Sequence, residues 1–366
     1  CSIWLLSGSY SKKIKKIFES KLMIASIIFF LLHILGLIWT KDLNWGFHMV
    51  HKMWYFIGLL PILHVIVSKK YIPIYISSFL LAISITELVS YLIWFEIIEP
   101  FKNATVLNPT PFMSHISYNP ILAFSVYLVL HQLFFNKKLT NLAFSLYSFF
   151  AISMSINMFI TGGRAGQIGF FVVISILIFQ IFEKQRVKSL LLIAIVIPSV
   201  FLLAYQSSDL FKTRVNLAFQ EAITYETINM DTGSSVGQRI NYTINSWQII
   251  KDNPLIGVGT GDFPDEYRKV NELNSPGLPN VTNPHNMYIL VLVQLGLLGI
   301  ISMLSILFFQ IKISMNSSER FIRDTGVTLP ILYVVLMMSD SYLLGHYTTL
   351  MFVFFSSFLY KDFEKS

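Results

Sequence analysis

Three residues have the types that a group-transfer reaction uses: His285, Arg164 and Arg239. The triplet Pro284-His285-Asn286 stands where a long polar segment gives way to an apolar run. Pro284 and its neighbours fit a helix start, which would put His285 in the first turn, beside backbone N–H groups that lack helical partners. Imidazole exchanges a proton near neutral pH, so a histidine reached by both water and lipid has the chemistry of a general base. The alternative is that it simply finishes a helix end. Arg164 closes the turn Thr161-Gly162-Gly163-Arg164 between two apolar runs. Its glycines would let a ligand approach the backbone, and the N-terminus of the next helix favours an anion. An interfacial arginine that snorkels would need no ligand. Arg239 lies near the beginning of a helix, where a cation opposes the helix dipole. A bound anion would relieve that conflict, and a guanidinium fork suits phosphate oxygens, although a surface ion pair would do as well. A base with two arginines fits transfer from a phosphate-linked, lipid-borne donor.

Other residues make weaker cases. Gly257-Val258-Gly259-Thr260-Gly261 looks like a nucleotide-binding loop, but no strand precedes it, and it reads as a tight turn. Asn103-Ala104-Thr105 is a glycosylation sequon by pattern only. His33 and His131 fall inside apolar runs and read as packed or hydrogen-bonded. His346, beside Tyr347, and Asp340, placed within the preceding run, read as structural, with a supporting role at a site as the alternative. His48 and His51 have a metal-compatible spacing, but no carboxylate completes a site in the sequence, and no Cys/His cluster has zinc spacing. With one cysteine, no internal disulfide forms.

These groups must be positioned by elements that sit in a membrane. Only 13% of the 366 residues are charged, about half the ~25% usual in soluble domains, while 54% are hydrophobic. The apolar residues fall in blocks long enough to cross a hydrocarbon core as helices, at 22–39, 53–67, 72–93, 117–135, 140–160, 166–182, 189–205, 286–309, 327–344 and 346–360. Cys1 to Gly8 reads as the tail of a further apolar run, so the N-terminus is expected to be truncated. A lipoprotein start at Cys1 is disfavoured by the apolar continuation and the basic KKIKK that follows. The expectation is an all-α, polytopic transmembrane bundle with eleven spans in this chain and twelve in the full-length protein. Its parts are an N-terminal bundle over 1–205, a helical loop over 206–284 and C-terminal spans over 285–366.

Charge counting orients the bundle. One set of alternate loops carries 17 Lys and Arg in 49 residues, and the opposite set carries 10 in 116. The denser set is cytoplasmic by the positive-inside rule, which puts His285, Arg164 and Arg239 together on the other side. Trp39, Trp54 and Trp94 lie near span ends, as interfacial belts prefer. The net charge of +7 arises from these short clusters, so it implies membrane topology and no nucleic-acid partner. Within the long loop, Ser235 and Gln238 form a capping box, and the helix that follows stops at Asn253-Pro254. Val236, Ile240, Ile244 and Trp247 share one face of it, expected to pack onto the bundle or the lipid surface.

The run from His285, HNMYILVLVQLGLLG, has His, Asn, nine residues, Gly296, two residues and Gly299. It resembles the signature of the O-antigen ligase and polymerase superfamily. The upstream stretch GQRINYTINSWQIIKDNPLIGVGTGDF and the TGGR turn resemble that superfamily's large-loop helix and its short arginine-bearing loop. The resemblance implies an inner-membrane, GT-C-like glycosyltransferase whose periplasmic helical loop covers a cavity open to lipid. The implied donor is an undecaprenyl-pyrophosphate-linked glycan. In these roles His285 deprotonates or orients the acceptor hydroxyl, Arg164 and Arg239 hold the pyrophosphate, and Asn286 and Tyr288 support them. Arginines that stabilise the leaving group leave no task for a metal or other cofactor. Gly296 and Gly299 are expected to allow close helix packing. Ligase, polymerase and protein O-oligosaccharyltransferase share the constellation, and lipid A-core is the acceptor of the preferred, ligase reading. A transporter of lipid or polysaccharide is the alternative of another class. It would show paired interrupted spans and ionisable groups at mid-depth, for which Glu87 and Asp340 qualify weakly.

Overall fold

The computed structural model describes residues 8–224 and 235–363. The apolar run at Cys1–Gly8 therefore lies outside them save for its last residue, and the side chains of Ser235 and Val236, on which the capping box and part of the helix face rest, are also outside. Among the described residues the protein is helical, and eight helices are long and apolar enough to cross a bilayer. It is a polytopic helical membrane protein. In chain order the helices are α1 (Tyr10–Glu19), α2 (Lys21–Leu35), α3 (Leu43–Trp54), α4 (Leu60–Ile66), α5 (Ile72–Trp94), α6 (His115–Phe135), α7 (Asn141–Ile160) and α8 (Arg164–Ile181). There follow α9 (Arg186–Ser207), α10 (Asp209–Thr224), α11 (Ser235–Asp252), α12 (Phe263–Asn274), α13 (Met287–Met315), α14 (Arg320–Leu336) and α15 (His346–Leu359). The described elements form two compact units, one holding residues up to 70 and from 220 onward, the other holding 71–219.

Several expected boundaries move. The span expected at 53–67 begins at Leu43, because Asp42 caps α3 through Trp45 N–H at 3.0 Å, and a π turn at Tyr55–Leu59 joins α3 to α4. The span expected at 327–344 is α14, which starts at Arg320 and ends at Leu336. The polar Ser339-Asp340-Ser341 is then a loop.

The first unit is organised by a break in α13. Gly296 has φ 60° and ψ −153°, a conformation that is essentially glycine-only. In an unbroken helix Val293 O would take the N–H of Leu297, and Gln294 O that of Leu298. All four groups instead pair with the 254–259 loop. Val258 N donates to Val293 O (2.8 Å), Gly259 N to Gln294 O (3.0 Å), Leu297 N to Pro254 O (2.9 Å) and Leu298 N to Leu255 O (3.2 Å). An unsatisfied peptide group in hydrocarbon costs several kcal/mol, so the loop is what makes a broken span tolerable there. Thr260 continues the insertion, its Oγ1 donating to His33 O (2.7 Å) while its carbonyl accepts from Gln294 Nε2 (2.6 Å). The buried Asp262 carboxylate then takes the backbone N–H groups of Lys41 and Asp42 at 2.9 Å.

The glycine-rich stretch is thus a tight turn, as its sequence implied, and the amides of Val258 and Gly259 are committed to α13 rather than free for a phosphate. The expectation for Gly296 and Gly299 is corrected. Gly296 breaks the span, and a Cβ at Gly299 would stand 2.5 Å from Leu295 Cβ of its own helix.

Above the break, Met49, Tyr242, Ile249, Ile250, Phe263, Tyr267, Ile289, Leu290 and Val293 form one buried core, joining α3, α11, α12 and α13. The α11 face turned to protein is therefore that of Tyr242, Ile249 and Ile250. Ile244 and Trp247, on the face read as the packing one, are 54% and 49% exposed. Inside the unit, that face does not pack on the bundle.

In the second unit α6 runs between α7 and α8, and most of its side chains are buried. Asn119 of α6 ties the Thr161–Arg164 turn down. Its amide donates to Gly163 O (3.3 Å), and its carbonyl accepts from Thr161 Oγ1 (2.7 Å).

Candidate functional site

His285 does not lie in the first helical turn. Asn286 is the N-cap of α13, its Oδ1 accepting from Tyr288 N (3.0 Å) and Ile289 N (3.2 Å), so His285 precedes the helix. Its φ of 51° is left-handed, a rare conformation for a residue with a Cβ. The carboxamide oxygen of Asn283 holds it there, accepting from His285 N (3.0 Å) and Ser341 Oγ (2.9 Å). The strained backbone aims the imidazole at the 337–345 loop, where Nδ1 meets Asp340 Oδ1 at 3.3 Å. The His285 side chain is 39% exposed and that of Asp340 15%. Among the described residues Nε2 has no hydrogen-bond partner.

Asp340 is the residue the sequence undervalued. Placed within a span, it read as structural; the structure ends α14 at Leu336 and turns Asp340 toward His285. The signal that could have found it is the polar triplet Ser339-Asp340-Ser341, which interrupts the apolar run. Burial pushes its carboxyl up, but the His285 hydrogen bond and charge, the Ser341 N–H and the Arg239 guanidinium outweigh burial and hold it below its ordinary value. Arg239, in the second turn of α11, thus acts on the same carboxylate that orients His285. Tyr242, one turn along α11, sets its ring 6.2 Å from the imidazole. Burial raises its phenol against the opposing charge of Arg239, which keeps the hydroxyl neutral.

Asn286 and Tyr288 fasten this assembly. Asn286 Nδ2 donates to Met338 O (3.2 Å), Met287 N to Met337 O (2.9 Å) and Tyr288 OH to Val334 O (2.8 Å). The start of α13 is therefore pinned to the end of α14 and to the loop carrying Asp340. The structure brings His285, Arg239, Asn286 and Tyr288 into one unit. Arg164 belongs to the other, where it opens α8 directly after the Gly162-Gly163 turn. Of the remaining histidines, His33 Nδ1 bonds Phe29 O (2.8 Å), buried His131 lies against Tyr127 and Phe135, and His346 Nδ1 is paired with Tyr55 OH. The first two fit the packed roles expected of them.

Two outcomes follow for Asp340. On the reading of His285 as a general base, Asp340→Asn keeps the shape but loses the charge that orients the imidazole, and activity is expected to fall by about ten- to a thousandfold, less than the ~10⁴ of a fully buried triad aspartate. Because the carboxyl sits below its ordinary value when folded, its contribution to stability is complete above that value and is lost as pH falls through the lowered one. The gap in melting temperature between wild type and Asp340→Asn should close as pH falls below about 4. A gap that persists undiminished at about pH 2 would contradict the geometry.

Residues 149–304 match the family model described as O-antigen ligase. The matched stretch runs from α7 through the break in α13 and contains Arg164, Arg239, His285, Asn286, Tyr288, Gly296 and Gly299. It therefore falls on the segments whose motifs resemble that superfamily, and bears the resemblance out. An uncharacterised protein of Haemophilus influenzae Rd is 27% identical over 257 residues, covering 68% of this chain and 60% of that protein. The chain thus spans about three fifths of that relative's length.

Proposed function

We propose that the protein is a glycosyltransferase of the O-antigen ligase type. It moves a glycan from an undecaprenyl-pyrophosphate carrier to lipid A-core at the periplasmic face of the inner membrane. The observation that carries this reading is the His285–Asp340 pair, with Arg239 acting on the same carboxylate. Asp340 accepts the Nδ1 proton, so Nε2 presents its lone pair to an acceptor hydroxyl. As the hydroxyl oxygen attacks the anomeric carbon, its proton passes to Nε2. The bond from that carbon to the pyrophosphate oxygen breaks, and its electron pair leaves with the pyrophosphate. The guanidinium groups of Arg239 and Arg164 offset the charge that develops there, a task that needs no metal.

Two observations speak against a transporter. Asp340, one of the two acids expected at mid-depth, lies in a loop beside His285. The interruption of α13 is filled by the 254–259 loop and presents no open backbone to an ion.

The test is complementation of a ligase-deficient Gram-negative strain with the full-length protein, read as surface lipopolysaccharide on a gel. A ladder is the expected result. Absence of a ladder, with lipid-linked repeats lengthening in a polymerase-deficient strain, would replace the ligase reading by polymerase.

A further inference from the structure

The second unit gathers a set of donors that the roles above do not use. Asn108, in the loop between α5 and α6, bridges to the Thr161–Arg164 turn. Its Oδ1 accepts from Gly162 N (3.3 Å), and its Nδ2 donates to His115 Nδ1 (2.8 Å). Since the Gly162 N–H requires an oxygen, the amide orientation is fixed, and with it the tautomer of His115, whose proton sits on Nε2.

Arg214 of α10 arrives at the same spot. A Cβ built on Gly162 would stand 3.7 Å from Arg214 Nη2, 3.7 Å from Asn108 Oδ1 and 4.0 Å from His115 Cδ2, the carbon bonded to Nε2. The charge of Arg214 bears on His115, and among the described residues no carboxylate pairs with Arg214. A guanidinium and an imidazole N–H thus flank the glycine surface, and among the described residues neither has a hydrogen-bond acceptor.

The surface is rigid before any ligand arrives. Beyond the Asn119 bonds, Gln167 Nε2 donates to Thr161 O (3.1 Å), and Ser208 Oγ fixes the root of α10 to Phe159 O (2.7 Å). Convergent donors on a preorganised backbone bind an anion without the cost of ordering a loop.

We propose that Arg214, His115 and the Gly162 surface form an anion subsite for a phosphate group. On the transfer reaction proposed above, it is a holding point for the donor's pyrophosphate two residues before Arg164. Arg214 supplies the fork, His115 a neutral donor, and the missing side chain of Gly162 the room for phosphate oxygens.

The test uses the full-length protein in phosphatidylcholine nanodiscs and measures binding of a fluorescent polyprenyl pyrophosphate. Arg214→Gln should weaken binding at least tenfold, and Arg214→Lys less, with the melting temperature unchanged. Binding of the matching polyprenol, which lacks the phosphates, should not change. Should Arg214→Gln fail to fold, Gly162→Ala carries the test, because its Cβ would make only ordinary contacts and would fill the space meant for the ligand. Wild-type binding by folded Arg214→Gln and Gly162→Ala would overturn the proposal. If inorganic phosphate or phosphatidylglycerol shows the Arg214 dependence while the polyprenyl pyrophosphate does not, the source is free phosphate or a bilayer headgroup, and the donor assignment falls. The readout needs no acceptor or turnover. Arg214-dependent binding in a protein that yields no ladder would sink the ligase reading and leave the subsite, and the converse result would do the reverse.

Discussion

Replacing His285 by alanine should lower glycan transfer by about 10²- to 10⁴-fold, the range of a positioned general base, at equal expression and with a modest loss of melting temperature. The loss comes from the Asp340 carboxylate left without its imidazole partner, and it stays modest because the His285 side chain is 39% exposed and the left-handed backbone is fixed by Asn283 rather than by the imidazole. Alanine bears a penalty of about 1–2 kcal/mol in that conformation, but histidine bears it already. His285→Asn is the sharper variant. Asparagine accepts a left-handed backbone more readily and can still donate to Asp340, yet its amide takes no proton. It should fold at least as well as wild type and be as inactive as the alanine variant. Adding Asp340→Asn to His285→Ala should cost little more, since the carboxylate acts through the imidazole and residues that work as a unit are not additive. Either His285 variant retaining a tenth of wild-type transfer would remove His285 as the base.

The sequence displayed the bundle well because each span is a local property: an apolar block of sufficient length announces itself whatever surrounds it. The ends were less legible. Asp42 caps α3 well before the apolar block begins, and α14 starts seven residues ahead of its expected span, because amphipathic turns at a membrane surface carry charges without ceasing to be helical. That two of the candidates belong together was also readable, since His285 and Arg239 stand on the elements that surround Asp340. Their geometry was not. Whether Pro284-His285-Asn286 begins a helix at its first or its third residue depends on Asn283 and Ser341, and the latter lies 56 residues downstream, a separation no local pattern encodes. The partner of the Ile244 and Trp247 face of α11 was left open for a related reason. Apolar spacing shows that a face prefers to leave water, but does not say whether lipid or protein receives it. Here Tyr242, Ile249 and Ile250 took the protein side.

The break in α13 is the extreme case, and it yields the largest expected effect on folding. Nothing in VLVQLGLLG distinguishes Gly296 from a glycine that eases helix packing; the partner that explains it is the 254–259 loop. A Cβ on Gly296 would stand 2.5 Å from Ile256 N and from Leu255 O, and one on Gly257 (φ 67°) 2.5 Å from Leu295 N and from Val293 O. Each glycine thus makes room for the backbone on which the other sits. Gly296→Ala combines a glycine-only conformation, at about 1–3 kcal/mol, with overpacking of about 1–3 kcal/mol. If the loop is expelled, four peptide groups in hydrocarbon lose their partners as well. Total stabilities are only about 5–15 kcal/mol, so Gly296→Ala and Gly257→Ala should each yield mostly aggregated protein on size-exclusion chromatography. Gly277→Ala, where a Cβ meets nothing within 4 Å, should remain monodisperse. In whatever fraction of Gly296→Ala survives, transfer should also be depressed. The half-helix from Met287 to Leu295 carries the cap that positions His285, and the backbone carbonyls of Val293 and Gln294 at its lower end are held by the loop at the break. Loss of activity with the fold intact then marks the base, whereas loss of both together marks the break. A Gly296→Ala protein with wild-type melting temperature and activity would mean that the loop does not enter the span.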